Sequence, residues 1–141
     1  MLKLPETTEI KDLDDLNNIY ILWQIIQRKP FLNKTYIRFY KGLLARTQHA
    51  PPDGLFVELD SGAGFLRLMA PYAVTSDVLP YEGVDRVFSA LDMPFQDKSV
   101  STVMMIDVLH HIKDSRQFFK EMQRCLKPGG KIVMIEPANT P

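Results

Sequence analysis

An α/β fold, with a doubly wound parallel sheet preceded by helices and incomplete at its C-terminal edge, is what this 141-residue sequence predicts. Three observations lead there. After residue 54, short apolar runs alternate with helical patterns, as in a parallel sheet covered on both sides. The runs at 103–106 and 132–135 are apolar at successive positions, the pattern of strands buried on both faces. Acids stand where several of these strands run out: Glu58, Asp77 and Asp107.

The first fifty residues read as helical and form an expected N-terminal cap, 1–50, before a sheet domain, 51–141. Leu13, Leu16, Ile19, Tyr20, Trp23 and Ile26 recur at steps of three and four, which gives a helix one buried face. Pro30 ends that helix, because the residue before a proline avoids helical angles. Tyr36, Ile37, Tyr40, Leu43 and Leu44 mark a second helix, and Pro51-Pro52-Asp53-Gly54 breaks the chain before the strands. Residues 55–59 make the first strand, entering the turn Asp60-Ser61-Gly62-Ala63-Gly64, and residues 65–70 a short helix. Residues 73–77, 86–89, 100–106 and 131–136 are the further strands. Between the last two, residues 114–126 form a helix with Phe118, Phe119, Met122, Cys125 and Leu126 on one face. Asp114 and Gln117 resemble a capping box at its start.

Composition narrows the function class. Seventeen basic residues balance seventeen acidic ones, so there is no electrostatic footprint for nucleic acid or an anionic membrane. The single cysteine, Cys125, fits a reducing compartment; residues 1–9 lack a charged leader followed by an apolar run, so no secretory signal is expected, and the apolar stretch at 19–26 is too short to span a bilayer. A cytoplasmic protein is expected, with no metal implied.

In open parallel sheets ligands bind beyond the carboxyl ends of the strands, where the strand order reverses. The turn Gly62-Ala63-Gly64 lets backbone approach a ligand closely. Asp77 can accept hydrogen bonds from two neighbouring ribose hydroxyls. Asp92, in the loop Ala90-Leu91-Asp92-Met93-Pro94-Phe95, can accept from an adenine amino group while Met93 and Leu91 pack on the ring.

Val57-Glu58-Leu59-Asp60-Ser61-Gly62-Ala63-Gly64-Phe65 resembles the first motif of class I S-adenosylmethionine-dependent methyltransferases, which have a Rossmann-like fold. Ser76-Asp77-Val78 resembles their ribose-binding acid and Leu91-Asp92-Met93-Pro94-Phe95 their adenine loop. Ile106-Asp107-Val108-Leu109-His110-His111-Ile112 is similar to the end of their fourth strand, and Leu126-Lys127-Pro128-Gly129-Gly130-Lys131-Ile132-Val133 to the turn into their fifth. The resemblance covers roughly residues 54–137. It implies S-adenosylmethionine as cofactor, held by Glu58, Asp60, Gly62, Gly64, Asp77, Asp92, Met93 and Asp107. It further implies methyl transfer to a small-molecule acceptor. His110 and His111 are the candidate bases where the acceptor must lose a proton.

Two departures qualify this. Asp60 stands where the family has the first glycine of its turn, adding bulk and charge beside the cofactor. The chain also ends soon after the fifth strand, where family members continue. A fragment, a second chain completing the sheet, and a degenerate relative remain alternatives, and pairing of two copies through the exposed fifth-strand edge is an expectation. The competing function is a catalytically silent relative acting through protein contacts. A nicotinamide-dependent oxidoreductase is disfavoured, because its third glycine is replaced by Arg67. Nucleic-acid amino methylation is disfavoured because Asp107-Val108-Leu109-His110 lacks the corresponding Pro-Pro signature.

Overall fold

A computed structural model describes residues 16–62, 65–80 and 82–138, except the side chains of Leu16, Asn17 and Ile19. Leu13, Ala63 and Gly64 lie outside the described residues.

Two helices come first, α1 (Leu16–Arg28) and α2 (Pro30–Arg46), separated at Lys29 and with Pro30 opening the second. Proline suits that place, since its missing N–H would be unpaired there in any case. The elements that follow are β1 (Leu55–Glu58), α3 (Phe65–Met69), β2 (Val74–Asp77), β3 (Arg86–Val87), β4 (Val100–Ile106), α4 (Ser115–Cys125) and β5 (Leu126–Ile135). A single 3-10 turn, Leu109–His111, lies between β4 and α4. The five strands form one parallel sheet in the order β3-β2-β1-β4-β5. The order reverses between β1 and β4, the place where such sheets open a crevice.

Alternation along the central strands builds two cores. Val57 of β1 with Val103 and Met105 of β4 face α4, packing on Phe118, Met122 and Cys125. Phe56 and Met104 face the other way, onto Tyr40 and Leu43 of α2 and Phe65 and Leu66 of α3. Residues on opposite sides of one strand thus feed separate clusters, which explains the unbroken apolar runs in the sequence.

Three details differ from the sequence reading. Tyr20 is 62% exposed, and its ring instead stacks on Trp23 at 6.1 Å; the inward face of α1 runs through Trp23, Ile25 and Ile26. Phe119 is 46% exposed while Phe118 is fully buried, because a helical step of about 100° carries consecutive residues off the same face. The start of α4 has half a capping box: Asp114 Oδ1 accepts from the Gln117 amide at 2.9 Å, but the Gln117 side chain donates elsewhere, to Leu91 O.

The Lys-Pro-Gly-Gly turn lies within the ladder of β5. Val100 pairs with Leu126 and Thr102 with Lys131, so residues 127–130 bulge opposite Ser101. The β1–β4 register shifts at the same place, and Ser101 Oγ lies 3.1 Å from both the Gly54 and Leu55 carbonyl oxygens. Gly54 is fixed by this crowding. A Cβ there would stand 2.6 Å from Ser101 N, whereas one on Gly42, inside α2, would meet only an Arg46 side-chain tip at 3.6 Å.

The two glycines therefore predict opposite outcomes in urea unfolding. Gly54→Ala is expected to destabilise by about 1–3 kcal/mol through overpacking. Gly42→Ala is expected to stabilise by about 0.5–1 kcal/mol, the helix-interior advantage of alanine. Equal effects would contradict the Ser101 crowding.

Candidate functional site

Two cavities open at the carboxyl ends of the strands and adjoin at the segment after β1. The larger, about 670 Å³, is lined by Asp60, Gly62, Asp77, residues 88–91, Val108 and residues 111–113. The smaller, about 240 Å³, lies beneath the helices and is lined by Tyr36, Tyr40, Glu58, Phe65, Ile106 and Asp107, with Leu22 and Ile26 of α1. Asp60 and Gly62 line both.

That shared segment is fastened to its neighbours. Leu59 N donates to Met104 O at 3.0 Å, and Ser61 N to Ser76 O at 2.9 Å. The Ser61 hydroxyl accepts from Ser76 N at 3.0 Å, and the Ser76 hydroxyl donates to Glu58 O at 2.6 Å. The ends of β1, β2 and β4 thereby hold one loop in place. Asp60 and Gly62 within it have φ of 53° and 47°, and Asp107 at the end of β4 has 59°. Positive φ is the reason a glycine would suit position 60, and aspartate is among the few other residues that tolerate it. Among the described residues, a Cβ on Gly62 would meet no neighbouring atom within 4 Å, which fits its place on the cleft.

Glu58 is the chemically unusual group. It is buried, its Oε1 accepts from the Tyr40 hydroxyl at 2.7 Å, and its Oε2 has no hydrogen-bond partner among the described residues. Burial raises its pKa to about 7, against the lowering effect of the Tyr40 and Ser61 hydroxyls. A buried carboxylate oxygen without a donor, on the wall of a cavity, fits a ligand that brings a cation or a donor. The aromatic wall around it is continuous: Phe65 stacks on Tyr36 at 5.6 Å and on Tyr40 at 6.4 Å. Burial, followed by the charge of Asp107, raises the Tyr36 hydroxyl above its usual value, so the phenol keeps its proton. Burial, then the nearby Glu136, raises the Asp107 carboxyl, with His110 and His111 acting in the opposite sense.

In the larger cavity Asp77 is buried at the end of β2, and its Oδ1 accepts from Leu79 N at 3.0 Å. Of the loop residues expected to face the same cleft, Leu91 does so. Asp92 and Met93 are not among the lining residues. Asp92 is exposed and bridges back to Ser89, while Met93 is buried in the α4-side core with its amide donating to Glu121 Oε2 at 2.9 Å. Phe88, Ser89 and Ala90 occupy the wall instead. The signal for them was present: Glu58, Asp77 and Asp107 sit at or just after a strand end, and Ser89 follows β3 by two residues where Asp92 follows by five.

The two histidines are placed differently. His110 Nδ1 lies 2.8 Å from Glu136 Oε2, while His111 lines the larger cavity. Glu136 also accepts from the Val108 and Leu109 amides at 2.9 and 2.7 Å, capping the 3-10 turn from the end of β5. Burial pushes its carboxyl up, and these hydrogen bonds outweigh it, leaving the group below its ordinary value. Glu136 and the tyrosines of α2 were not singled out from sequence, because the contacts that bring them here span the fold. The junction at 27–31 lines neither cavity, while Leu22 and Ile26 of α1 and Tyr36 and Tyr40 of α2 line the smaller one.

Glu58 makes stability pH-dependent in a direction opposite to that of an ordinary paired carboxylate. Its folded value of about 7 exceeds the ordinary 4.5, so the folded state holds the extra proton between them. That stabilisation is full below the lower value and is lost as pH rises through the upper one. Urea unfolding from about pH 5 to about pH 8 is expected to show wild type losing stability relative to Glu58→Gln. A difference that stays constant across the range would contradict the buried, protonated carboxyl.

Comparison with known proteins agrees with this geometry. A family model described as a methyltransferase domain matches residues 57–134. Norajmaline N-methyltransferase of Rauvolfia serpentina is 34% identical over 53 residues, covering 38% of this chain and 18% of that protein. The ubiquinone/menaquinone biosynthesis C-methyltransferase UbiE of Geotalea daltonii is 40% identical over 45 residues, covering 32% and 19%. The structure of a putative sarcosine dimethylglycine methyltransferase from Galdieria sulphuraria superposes with a TM-score of 0.65 at 18% identity, covering 86% of this chain and 59% of that one. The chain thus spans less than two thirds of the length of these relatives. The matched family segment runs from β1 to β5, across the switch point and both cavities, and the chain belongs to the methyltransferase-domain family of class I S-adenosylmethionine-dependent enzymes.

Proposed function

We propose that this chain binds S-adenosylmethionine across its two adjoining cavities and presents the methyl group to a small-molecule acceptor. The observation that carries this reading is the boundary that Asp60 and Gly62 form between the two cavities, with an acid at each neighbouring strand end and a buried Glu58 oxygen that has no partner among the described residues. In this reading the adenosyl part lies in the larger cavity. Asp77 accepts from the ribose hydroxyls, and the wall formed by residues 88–91 holds the base, with Ser89 taking the polar role expected of Asp92 and Leu91 with its neighbours the packing role expected of Met93. The methionyl arm enters the smaller chamber, where Glu58 faces its ammonium and Asp107 lies near the reacting end. Gly64 remains assigned to the same loop by resemblance alone.

When bound, the cofactor supplies an already activated methyl on a sulfonium, so the residues need only orient, desolvate and, where required, accept a proton. Tyr36, Tyr40 and Phe65 exclude water from the smaller chamber. His111 faces the cavity and is the better-placed base, since the Nδ1 of His110 is engaged with Glu136. The curated relatives are named as N-, C- and O-methyltransferases, so the acceptor atom is open to all three.

A second reading, a relative with weak or no cofactor binding, rests on Asp60. Its carboxylate stands at the junction of both cavities, beside the path of the methionyl carboxylate.

Calorimetric titration with S-adenosylhomocysteine tests both. Binding is expected, with proton release near pH 6.5, because an ammonium beside Glu58 favours its ionised form; no heat at millimolar ligand would support the silent reading. Asp77→Asn is expected to weaken binding about tenfold or more, as loss of a charged hydrogen-bond acceptor does. Asp60→Gly is expected to tighten it, by removing both the charge and the positive-φ strain, and an unchanged affinity would contradict the role given to that side chain.

A further inference from the structure

The segment at 91–97 belongs to no strand ladder: a bond from Phe95 N to Met93 O at 2.8 Å turns it locally, and side chains of α4 take up other backbone groups. Gln117 Nε2 donates to Leu91 O at 3.2 Å. Glu121 Oε2 accepts from Met93 N at 2.9 Å, and Arg124 donates to Met93 O at 2.9 Å and to Phe95 O at 2.7 Å. Arg124 also pairs with the Asp97 carboxylate at 3.0 Å and grips Glu121 through two nitrogens at 3.0 and 2.7 Å. Gln117, Glu121 and Arg124 lie four and three residues apart, so they share one helical stripe. Their partners are alternate residues of the segment, as across a strand pair. Met93 and Phe95 point into the core, where Phe118, Met122 and Cys125 lie.

The same helix begins at the opposite wall of the larger cavity. Residues 111–113 line that wall, and Asp114, next in the chain, caps α4. Residues 88–91 line the other wall, and Leu91 hangs from Gln117. One rigid helix therefore spans the two sides of the cleft.

The geometry points to Gln117, Glu121 and Arg124 as positioning residues that set the width of the nucleoside cleft and the placement of the wall facing the base. They touch no ligand and act through the backbone of residues 91–95. This inference rests on the proposed adenosyl-binding role of the larger cavity.

The test measures the affinity of the folded chain for S-adenosylhomocysteine and for its inosyl counterpart, which differs at the base edge. Gln117→Ala removes only the Leu91 bond and leaves the ion pair intact. It is expected to weaken S-adenosylhomocysteine about fivefold, the effect of one hydrogen bond, and to reduce the preference for adenosyl over inosyl ligand. Arg124→Lys keeps the charge but loses the fork and is expected to do both more strongly. Thermal melts establish that the variants are folded; where Arg124→Lys unfolds, Gln117→Ala decides alone. Unchanged affinity, or weaker binding with the base preference intact, overturns the positioning role while leaving cofactor binding standing. A wild-type chain that binds neither ligand overturns the functional reading and this inference together.

Discussion

The hydrogen bond from Tyr40 to Glu58 is the constraint around which the site is arranged. It places a helix that precedes the sheet against the end of the first strand, with the Tyr40 hydroxyl donating to the buried Glu58 carboxyl at 2.7 Å. Burying a charge with a single neutral donor is unfavourable, and the group responds by holding its proton to about neutral pH. The opposite oxygen has no hydrogen-bond partner among the described residues, and Glu58 is one of the residues lining the smaller cavity. A protein optimised only for stability would pair or replace such a group. Its retention is understandable where a ligand completes it.

Backbone conformation concentrates at the same place. Asp60, Gly62 and Asp107 all have positive φ, and all lie just past the ends of β1 and β4, the two strands between which the sheet order reverses. Strain of this kind persists only where the surroundings hold it. Here the Ser61 and Ser76 hydroxyls, the Leu59 amide and the pairing of Asp107 N with Ile135 O do so.

Polar groups of the outer elements brace the cleft walls in turn. Glu136, beyond the end of the edge strand β5, caps the turn that carries both histidines. The Glu121–Arg124 pair fixes the segment on the far side. Each brace joins residues more than twenty-five positions apart, so the shape of the cavity depends on the whole sheet being assembled.

The sequence by itself determined the order and kind of the elements. Apolar runs, proline and glycine breaks, and a strand-end acid at Glu58, Asp77 and Asp107 are local signals, governed by side-chain period and turn chemistry. Tertiary structure decided which side chains meet. Tyr36 and Tyr40 read only as one helix face until α2 lies over β1, and Glu136 as a strand terminus until it reaches His110. Asp92 and Met93 do not line the larger cavity, since spacing along a chain does not say which way a segment turns. Once Glu121 takes the Met93 amide and the core takes its side chain, the wall passes to residues 88–91. The physical reason is that periodicity reports the local backbone path, whereas a site is made where distant paths converge, and packing between elements sets that convergence.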